Sequence, residues 1–196
     1  MRRKLGKRLH SLLRLSGTHG IVRRYAVVNG FDGALTMLGM LLGFYISADI
    51  QLLTVINACL GVSVALAVSG VSSAYISESA EQQQALEVLR GAMVSDMADS
   101  AHHRAARVAP VLVALANGLS PLLMGLLIML PLWLAHLGLD LGVAPVEAAL
   151  ATALLLIFLL GVFLGRIRGS SLLLSGLLTL LIAGITSLVI FLLGAA

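Results

Sequence analysis

One acidic residue lies well inside an apolar stretch, and it is the first candidate for chemistry. Asp32 follows a basic segment by about six residues of apolar chain, or roughly 9 Å along a helix. A carboxylate at that depth in lipid costs at least a few kcal/mol, so we expect it to face a helix bundle or a dimer interface. At helical spacing it shares one stripe with Thr36, Gly39, Met40 and Gly43. The stripe predicts close approach of a helix or a cation, although an Asp32 that caps a half-helix or pairs with Arg23 or Arg24 is an open alternative.

Two later apolar stretches add polar groups. The second becomes more polar toward its end, where it includes Ser69 and Ser73. In the third, Pro121 has no N–H, so the carbonyl of Asn117 loses its partner within the helix. A freed carbonyl beside an amide can bind a cation, while a kink that serves packing alone is an equal alternative. The predicted polar pathway through the protein consists of Asp32, Thr36, Met40, Ser69, Ser73 and Asn117.

A third group of candidates occupies the polar stretch 76–107, which is rich in Ala, Leu, Glu and Gln and predicts a helix that breaks near Gly91. Asp96, Asp99 and His103 share one helical face, with methionines nearby. Carboxylates with an imidazole suit Fe(II), Mn(II) or Zn(II) better than calcium. The candidate metal ligands are therefore Asp32, Glu78, Glu81, Glu87, Asp96, Asp99 and His103. A solvated helix face is the alternative for this segment.

The composition requires helices that can hold these groups in lipid. Of the 196 residues, 59% are hydrophobic and 11% are charged, whereas soluble domains are about 25% charged. Because a helix needs about 20 apolar residues to cross a bilayer, five spans follow. They are residues 26–47, 52–75, 108–134, 143–165 and 171–194. The predicted fold class is all-α, a polytopic membrane protein with five spans.

Charge distribution predicts the orientation of these spans. All 13 Lys and Arg residues fall on one side of the five spans, which the positive-inside rule assigns to the cytoplasm. The N-terminus is then cytoplasmic and the C-terminus outside. Residues 1–25 combine leucines with basic residues, which predicts an amphipathic helix on anionic headgroups and argues against nucleic acid as a partner. Residues 26–196 form the predicted membrane domain, and we expect a prokaryotic plasma membrane because a retained anchor follows the basic segment.

The sequence lacks the motifs of several functional classes. We find no glycine-rich phosphate loop, no zinc-protease spacing and no Ser/His/Asp set that the topology can bring together. We therefore expect neither an enzyme nor a permanently bound cofactor. The single cysteine, Cys59, lies inside the second span and rules out an intrachain disulfide.

Three stretches carry motifs of a known family. The first is Phe31-Asp32-Gly33-Ala34-Leu35-Thr36 followed by Gly39 and Gly43, which looks like an Asn-Asp-Gly first span with Phe31 in place of Asn. The second is residues 69–79, where that family reads Ser-Met-x-x-Gly-Glu-Tyr-x-Ser-x-Ser. Here Gly70 replaces the Met, Ser73 the Gly and Ala74 the Glu. The third combines Asn117, Pro121, Gly125 and Pro131 with the later pair Arg168-Gly169. From Asn29 onward the chain resembles the vacuolar iron transporter family.

The resemblance implies a secondary transporter that moves Fe2+ or Mn2+ out of the cytoplasm in exchange for protons, with the metal as substrate. It also implies a homodimer with the pathway between subunits, and it places the family's intramembrane aspartate on Asp32. Gly70 and Ala74 stand where the family has a Met and a Glu, two side chains that bind metal in the family. Two alternatives therefore stay open, a scaffold or regulatory relative that does not transport, and a transporter of another small cation.

Overall fold

The structure is a computed structural model that describes residues 18–47, 50–92 and 101–194. These residues form five α-helices: α1 (Thr18–Ile46), α2 (Leu52–Ala92), α3 (Ala101–His136), α4 (Pro145–Arg168) and α5 (Leu172–Gly194). All five are long and apolar enough to cross a bilayer, judged by length and composition. The predicted all-α fold with five spans is confirmed, and the chain is a multi-pass membrane protein.

Two helices extend beyond the predicted spans. The 41 residues of α2 make it about 60 Å long, roughly twice the thickness of a hydrocarbon core. The predicted helix after the second span is therefore confirmed as far as Ala92, and the segment 93–100 lies outside the described residues. Helix α1 begins at Thr18, so the last part of the predicted interfacial segment 1–25 is continuous with the first span. Residues 1–17 lie outside the described part as well.

The helices contribute to two compact units. The first contains the described residues of Met1–Ala26 and Ala67–Leu119, and the second contains those of Val27–Leu66 and Ser120–Ala196. In the first unit, Ala74 of α2 packs with Val113 and Ala114 of α3. Side chains from the start of α1 cover this cluster, including Ile21, Val22 and Tyr25. Small residues at the centre of the cluster allow α2 and α3 to lie close together.

The second unit has a core to which all five helices contribute. The buried side chains include Met37, Leu38 and Leu41 from α1, Val55 and Cys59 from α2, Ile128, Met129 and Leu132 from α3, Ala149, Ala153 and Ile157 from α4, and Ala183 from α5. Most leucines of α5 are exposed, as expected for side chains that face lipid. The short link between α1 and α2 makes them antiparallel neighbours, with Ser63 hydrogen-bonded to Met37.

Helices α4 and α5 form a close hairpin. Gly169 caps the end of α4, and its positive φ of 70° lets its N–H bond back to the carbonyl of Gly165. The Thr179 hydroxyl donates to the carbonyl of Ile157 at 3.1 Å and to that of Gly176 at 2.8 Å. A Cβ at Gly161 would overlap the Thr179 hydroxyl and would lie 2.8 Å from the carbonyl oxygen of Ser175. Gly161 therefore determines how closely the two helices approach.

We expect Gly161→Leu to destabilise the protein. The added side chain has no space against α5, and overpacking of this kind costs about 1–3 kcal/mol. Gly184→Leu is the matched control, because a Cβ at Gly184 meets no atom within 4 Å. Thermal unfolding in detergent should show a lower midpoint for Gly161→Leu and no loss for Gly184→Leu. Equal midpoints for the two variants would contradict the described hairpin.

Candidate functional site

The Asp32 side chain is exposed on the second unit. Its neighbour Gly33 is buried against α3, where a Cβ would lie 2.6 Å from Cα of Pro121. Successive residues of a helix point about 100° apart, so this contact turns the carboxylate of Asp32 away from the core. Asp32 lies about 18 Å along α1 from Gly20, within the candidate membrane span Gly20–Ile46. The carboxylate is thus not enclosed by its own chain.

The rest of the predicted α1 stripe is only partly accessible, because a Cβ at Gly39 would lie 3.2 Å from Cδ1 of Ile190 in α5. Thr36 and Met40 are partly buried, and the Thr36 hydroxyl donates to the carbonyl of Asp32 at 2.9 Å. Gly43 is exposed, with nothing within 4 Å of a Cβ placed there. The stripe is therefore a small and polar surface of α1 within a membrane-spanning segment. In lipid such a surface needs a polar cover or water.

Asn117 joins α2 and α3 in the first unit. Its Nδ2 donates to the carbonyl oxygen of Gly70 at 2.7 Å, and the residue is 7% exposed. Because Gly70 offers an acceptor, the amide nitrogen must face it and Oδ1 must point elsewhere. Among the described residues, Oδ1 of Asn117 is the buried side-chain atom that has no hydrogen-bond partner. This oxygen can accept a hydrogen bond from a donor or bind a cation.

Two glycines allow this contact. A Cβ at Gly70 would lie 3.0 Å from Cα of Gly118, and one at Gly118 would overlap the carbonyl of Ala67. A side chain at Gly70 would therefore be tight against the backbone of α3. Ser69 and Ser73 are exposed, and the Ser73 hydroxyl donates to Gly70 at 3.4 Å, close to the limit of a hydrogen bond.

The six predicted pathway residues are divided between the two units. Asp32, Thr36 and Met40 belong to the second unit, whereas Ser69, Ser73 and Asn117 belong to the first. Each group is polar and lies within an apolar helix. A continuous pathway through all six stays a prediction.

The predicted metal ligands have different environments. Glu78 is buried, with 6% of its surface exposed, whereas Glu81 and Glu87 are exposed. Asp96 and Asp99 lie outside the described residues, and so does the side chain of His103. Within the described part of the chain, no three His, Cys, Asp or Glu side chains are grouped closely enough to hold a metal ion. Convergence of the whole acidic set stays a prediction.

Besides the bond from Asn117 to Gly70, sequence reasoning missed two polar contacts in the second unit and one in the first. The buried Ser63 hydroxyl donates to the carbonyl of Cys59 at 2.8 Å and approaches the sulfur of Met37 at 3.6 Å. Thr179 bonds across to α4, as described above. In the first unit, Gln82 donates from Nε2 to Oε1 of Glu78 at 2.9 Å. The four-residue spacing of Glu78 and Gln82 was a usable signal, because residues i and i+4 meet on a helix.

Comparisons with known proteins found no match for this chain. No protein-family model, no curated protein and no solved structure matches the chain. The structure itself identifies an all-α, multi-pass membrane protein with an exposed carboxylate in α1 and a buried one in α2.

Proposed function

We propose that the protein is a secondary transporter that moves a divalent transition metal, Fe2+ or Mn2+, out of the cytoplasm in exchange for protons. The observation that carries the proposal is the exposed carboxylate of Asp32 near the middle of a membrane-spanning helix. A charge within a span is costly, and such residues often mark the pathway of a cation or proton across the membrane. The motif resemblance around Asp32 also supports metal transport. The metal is the substrate, and the proposal includes neither a resident cofactor nor enzymatic chemistry.

A homodimer would supply the cover that Asp32 needs. Asp32 and Gly43 of the α1 stripe are exposed in the single chain, and a small residue such as Gly43 permits a second helix to come close. Two copies that meet at this stripe would bring two Asp32 carboxylates to one polar path between them. Paired carboxylates suit a divalent cation in the membrane better than a single one, because together they balance its charge.

The cytoplasmic acids would concentrate metal at the mouth of this path. Glu81 and Glu87 are exposed and act through charge, so water can complete the coordination of a passing ion. Asp96, Asp99 and His103 would extend the same acidic surface. Carboxylate and imidazole ligands are compatible with both Fe2+ and Mn2+.

The proposed orientation places the N-terminus, the α2 extension and the link between α4 and α5 in the cytoplasm, with the C-terminus outside. The membrane is a prokaryotic plasma membrane in this proposal, and the basic residues of the N-terminal segment bind its anionic headgroups. The 13 cations support this orientation because none falls on the opposite side of the five spans.

Labelling of single cysteines tests the orientation. We expect Ser79→Cys and Ser170→Cys to react with a membrane-impermeant maleimide from the same face of sealed vesicles. The native Cys59 is fully buried and should stay unlabelled. Cysteine at Leu139, in the exposed loop between α3 and α4, is the control for the opposite face. Labelling of positions 79 and 170 from different faces would overturn the topology.

A scaffold or regulatory protein of the same architecture is the second candidate. It is favoured by Gly70 and Ala74, which provide no side-chain ligands, and by the packed crossing at Gly70. Transport of another small cation, balanced by Asp32, is the remaining alternative. Purified protein in liposomes that contain a metal-quenched dye separates metal transport from both alternatives. We expect Mn2+ and Fe2+ to quench the dye faster than in protein-free liposomes, whereas a scaffold would give equal rates.

A further inference from the structure

One face of α4 combines exposed apolar side chains with a cation at its end. Leu155, Leu159 and Phe163 are between 45% and 57% exposed, and Arg166 is exposed as well. At 100° per residue, these four side chains lie within an arc of about 80° on the helix. We call the four residues the α4 lipid stripe, because an exposed apolar face of a membrane-spanning helix contacts acyl chains.

The α4 lipid stripe is as long as one leaflet of a bilayer. From Leu155 to Arg166 it runs about 16 Å along the helix, at 1.5 Å per residue. The hydrocarbon core of a bilayer is about 30 Å thick, so one leaflet contributes about 15 Å. When the three apolar side chains contact the acyl chains of one leaflet, the guanidinium group of Arg166 therefore reaches the phosphates of the same leaflet.

The positive charge of Arg166 is not balanced within the described part of the chain. Among the residues that the structure describes, none forms an ion pair or a hydrogen bond with its guanidinium group. The sequence contains no Asp or Glu after Glu147, which lies at the opposite end of α4, about 28 Å away. A guanidinium group keeps its charge in proteins and binds phosphate oxygens through two parallel hydrogen bonds. Arg166 is thus complementary to a phosphate group of the bilayer.

Arg168 offers an internal comparison, because it has the same charge and is exposed at the same end of α4. Two positions along the helix turn its side chain about 160° away from that of Arg166. It continues the face of Ile157 and Gly161, which are buried inside the fold. Leu164 is exposed one turn before Arg168, but the earlier turns of this face contact protein. An acyl chain therefore has a path along α4 to Arg166 and none to Arg168.

We propose that the α4 lipid stripe binds an anionic phospholipid, whose phosphate contacts Arg166 and whose acyl chains lie on Leu155, Leu159 and Phe163. Phosphatidylglycerol fits better than phosphatidylcholine, because phosphatidylcholine brings a quaternary ammonium group to an arginine with no acidic partner among the described residues. The apolar side chains favour a lipid over a free phosphate ion, which makes no acyl contacts. A basic residue at a membrane surface gives a preference of about five-fold for anionic lipid. This inference does not depend on the transported substrate.

Quenching of tryptophan fluorescence by brominated lipids tests the site in the full-length protein. Trp133 is the only tryptophan of the chain, so Trp133→Phe removes the background and Leu159→Trp places a reporter on the stripe. The protein is reconstituted in mixtures of phosphatidylcholine and phosphatidylglycerol, with one lipid or the other dibrominated. We expect phosphatidylglycerol to occupy the site at Leu159 with a preference of about five-fold. A reporter at Leu181→Trp, exposed on α5, which has no basic residue, should show no preference.

Two glutamine variants then separate the stripe from general surface charge. In the Leu159→Trp reporter, Arg166→Gln should abolish the preference for phosphatidylglycerol, whereas Arg168→Gln removes the same charge and should keep most of it. If Arg166→Gln fails to fold, Arg166→Met removes the same charge. Equal loss in the Arg166 and Arg168 variants, or no preference with both arginines present, overturns the inference. Absence of quenching by either lipid would show that protein covers the stripe, and it overturns the inference as well.

Discussion

Asp32→Asn is expected to reduce metal transport in proteoliposomes to the rate of protein-free vesicles. The amide keeps the shape of the side chain, but it neither balances a divalent charge nor accepts a proton. Because Asp32 is exposed on the single chain and not part of its core, the substitution should leave folding intact. Dye quenching by Mn2+ in proteoliposomes, with the unfolding midpoint measured in parallel, gives both results.

Asp140→Asn is the matched control for this experiment. Asp140 is also exposed, but it lies in the loop after α3 and accepts from the N–H of Gly142 at 2.9 Å. Transport should therefore survive its replacement. Normal transport by Asp32→Asn would show that the Asp32 carboxylate is not required for metal transport. It would favour the hypothesis that the protein is a scaffold.

Gly33→Ala adds one methyl group, and we expect it to lower the stability of the protein. A Cβ at Gly33 would lie 2.6 Å from Cα and 2.7 Å from Cβ of Pro121, so α1 and α3 must separate to admit it. Such overpacking costs about 1–3 kcal/mol. Alanine gains about 1 kcal/mol of helix propensity over glycine, and this gain offsets only part of the cost.

The control for Gly33→Ala is Gly61→Ala in α2. A Cβ at Gly61 meets nothing within 4 Å, so that variant should be as stable as wild type or slightly more stable. Thermal unfolding in detergent compares the two. A Gly33→Ala protein with an unchanged midpoint would show that α1 and α3 do not meet as described, and the outward direction of Asp32 would lose its explanation.

The five spans were predictable because hydropathy is a local property of each stretch. The helical continuation of α2 to Ala92 was predictable for the same reason, since Ala, Leu, Glu and Gln favour helix wherever they are packed. That α1 already includes residues 18–25 was less clear, because this stretch contains both basic and apolar residues. A surface helix and an extension of the first span share that pattern.

The environments of the candidate residues depended on packing that the sequence does not contain. Periodicity placed Asp32 on a stripe with Thr36, but only the contact of Gly33 with Pro121 decides which way that stripe faces. Composition does not distinguish Glu78, Glu81 and Glu87, whereas in the folded chain Glu78 is buried and the other two are exposed. The partner of Asn117 required knowledge of which helix crosses α3 at Gly118.

The central claim is tested most directly by uphill metal movement. Wild-type protein is reconstituted in liposomes with equal Mn2+ on both sides, and a proton gradient is then imposed. Exchange of metal for protons predicts that Mn2+ accumulates on the side with the higher proton concentration, that protons move the other way, and that Asp32→Asn shows neither flux. Absence of Mn2+ and Fe2+ movement in wild type, under a proton gradient of either direction, would contradict the account.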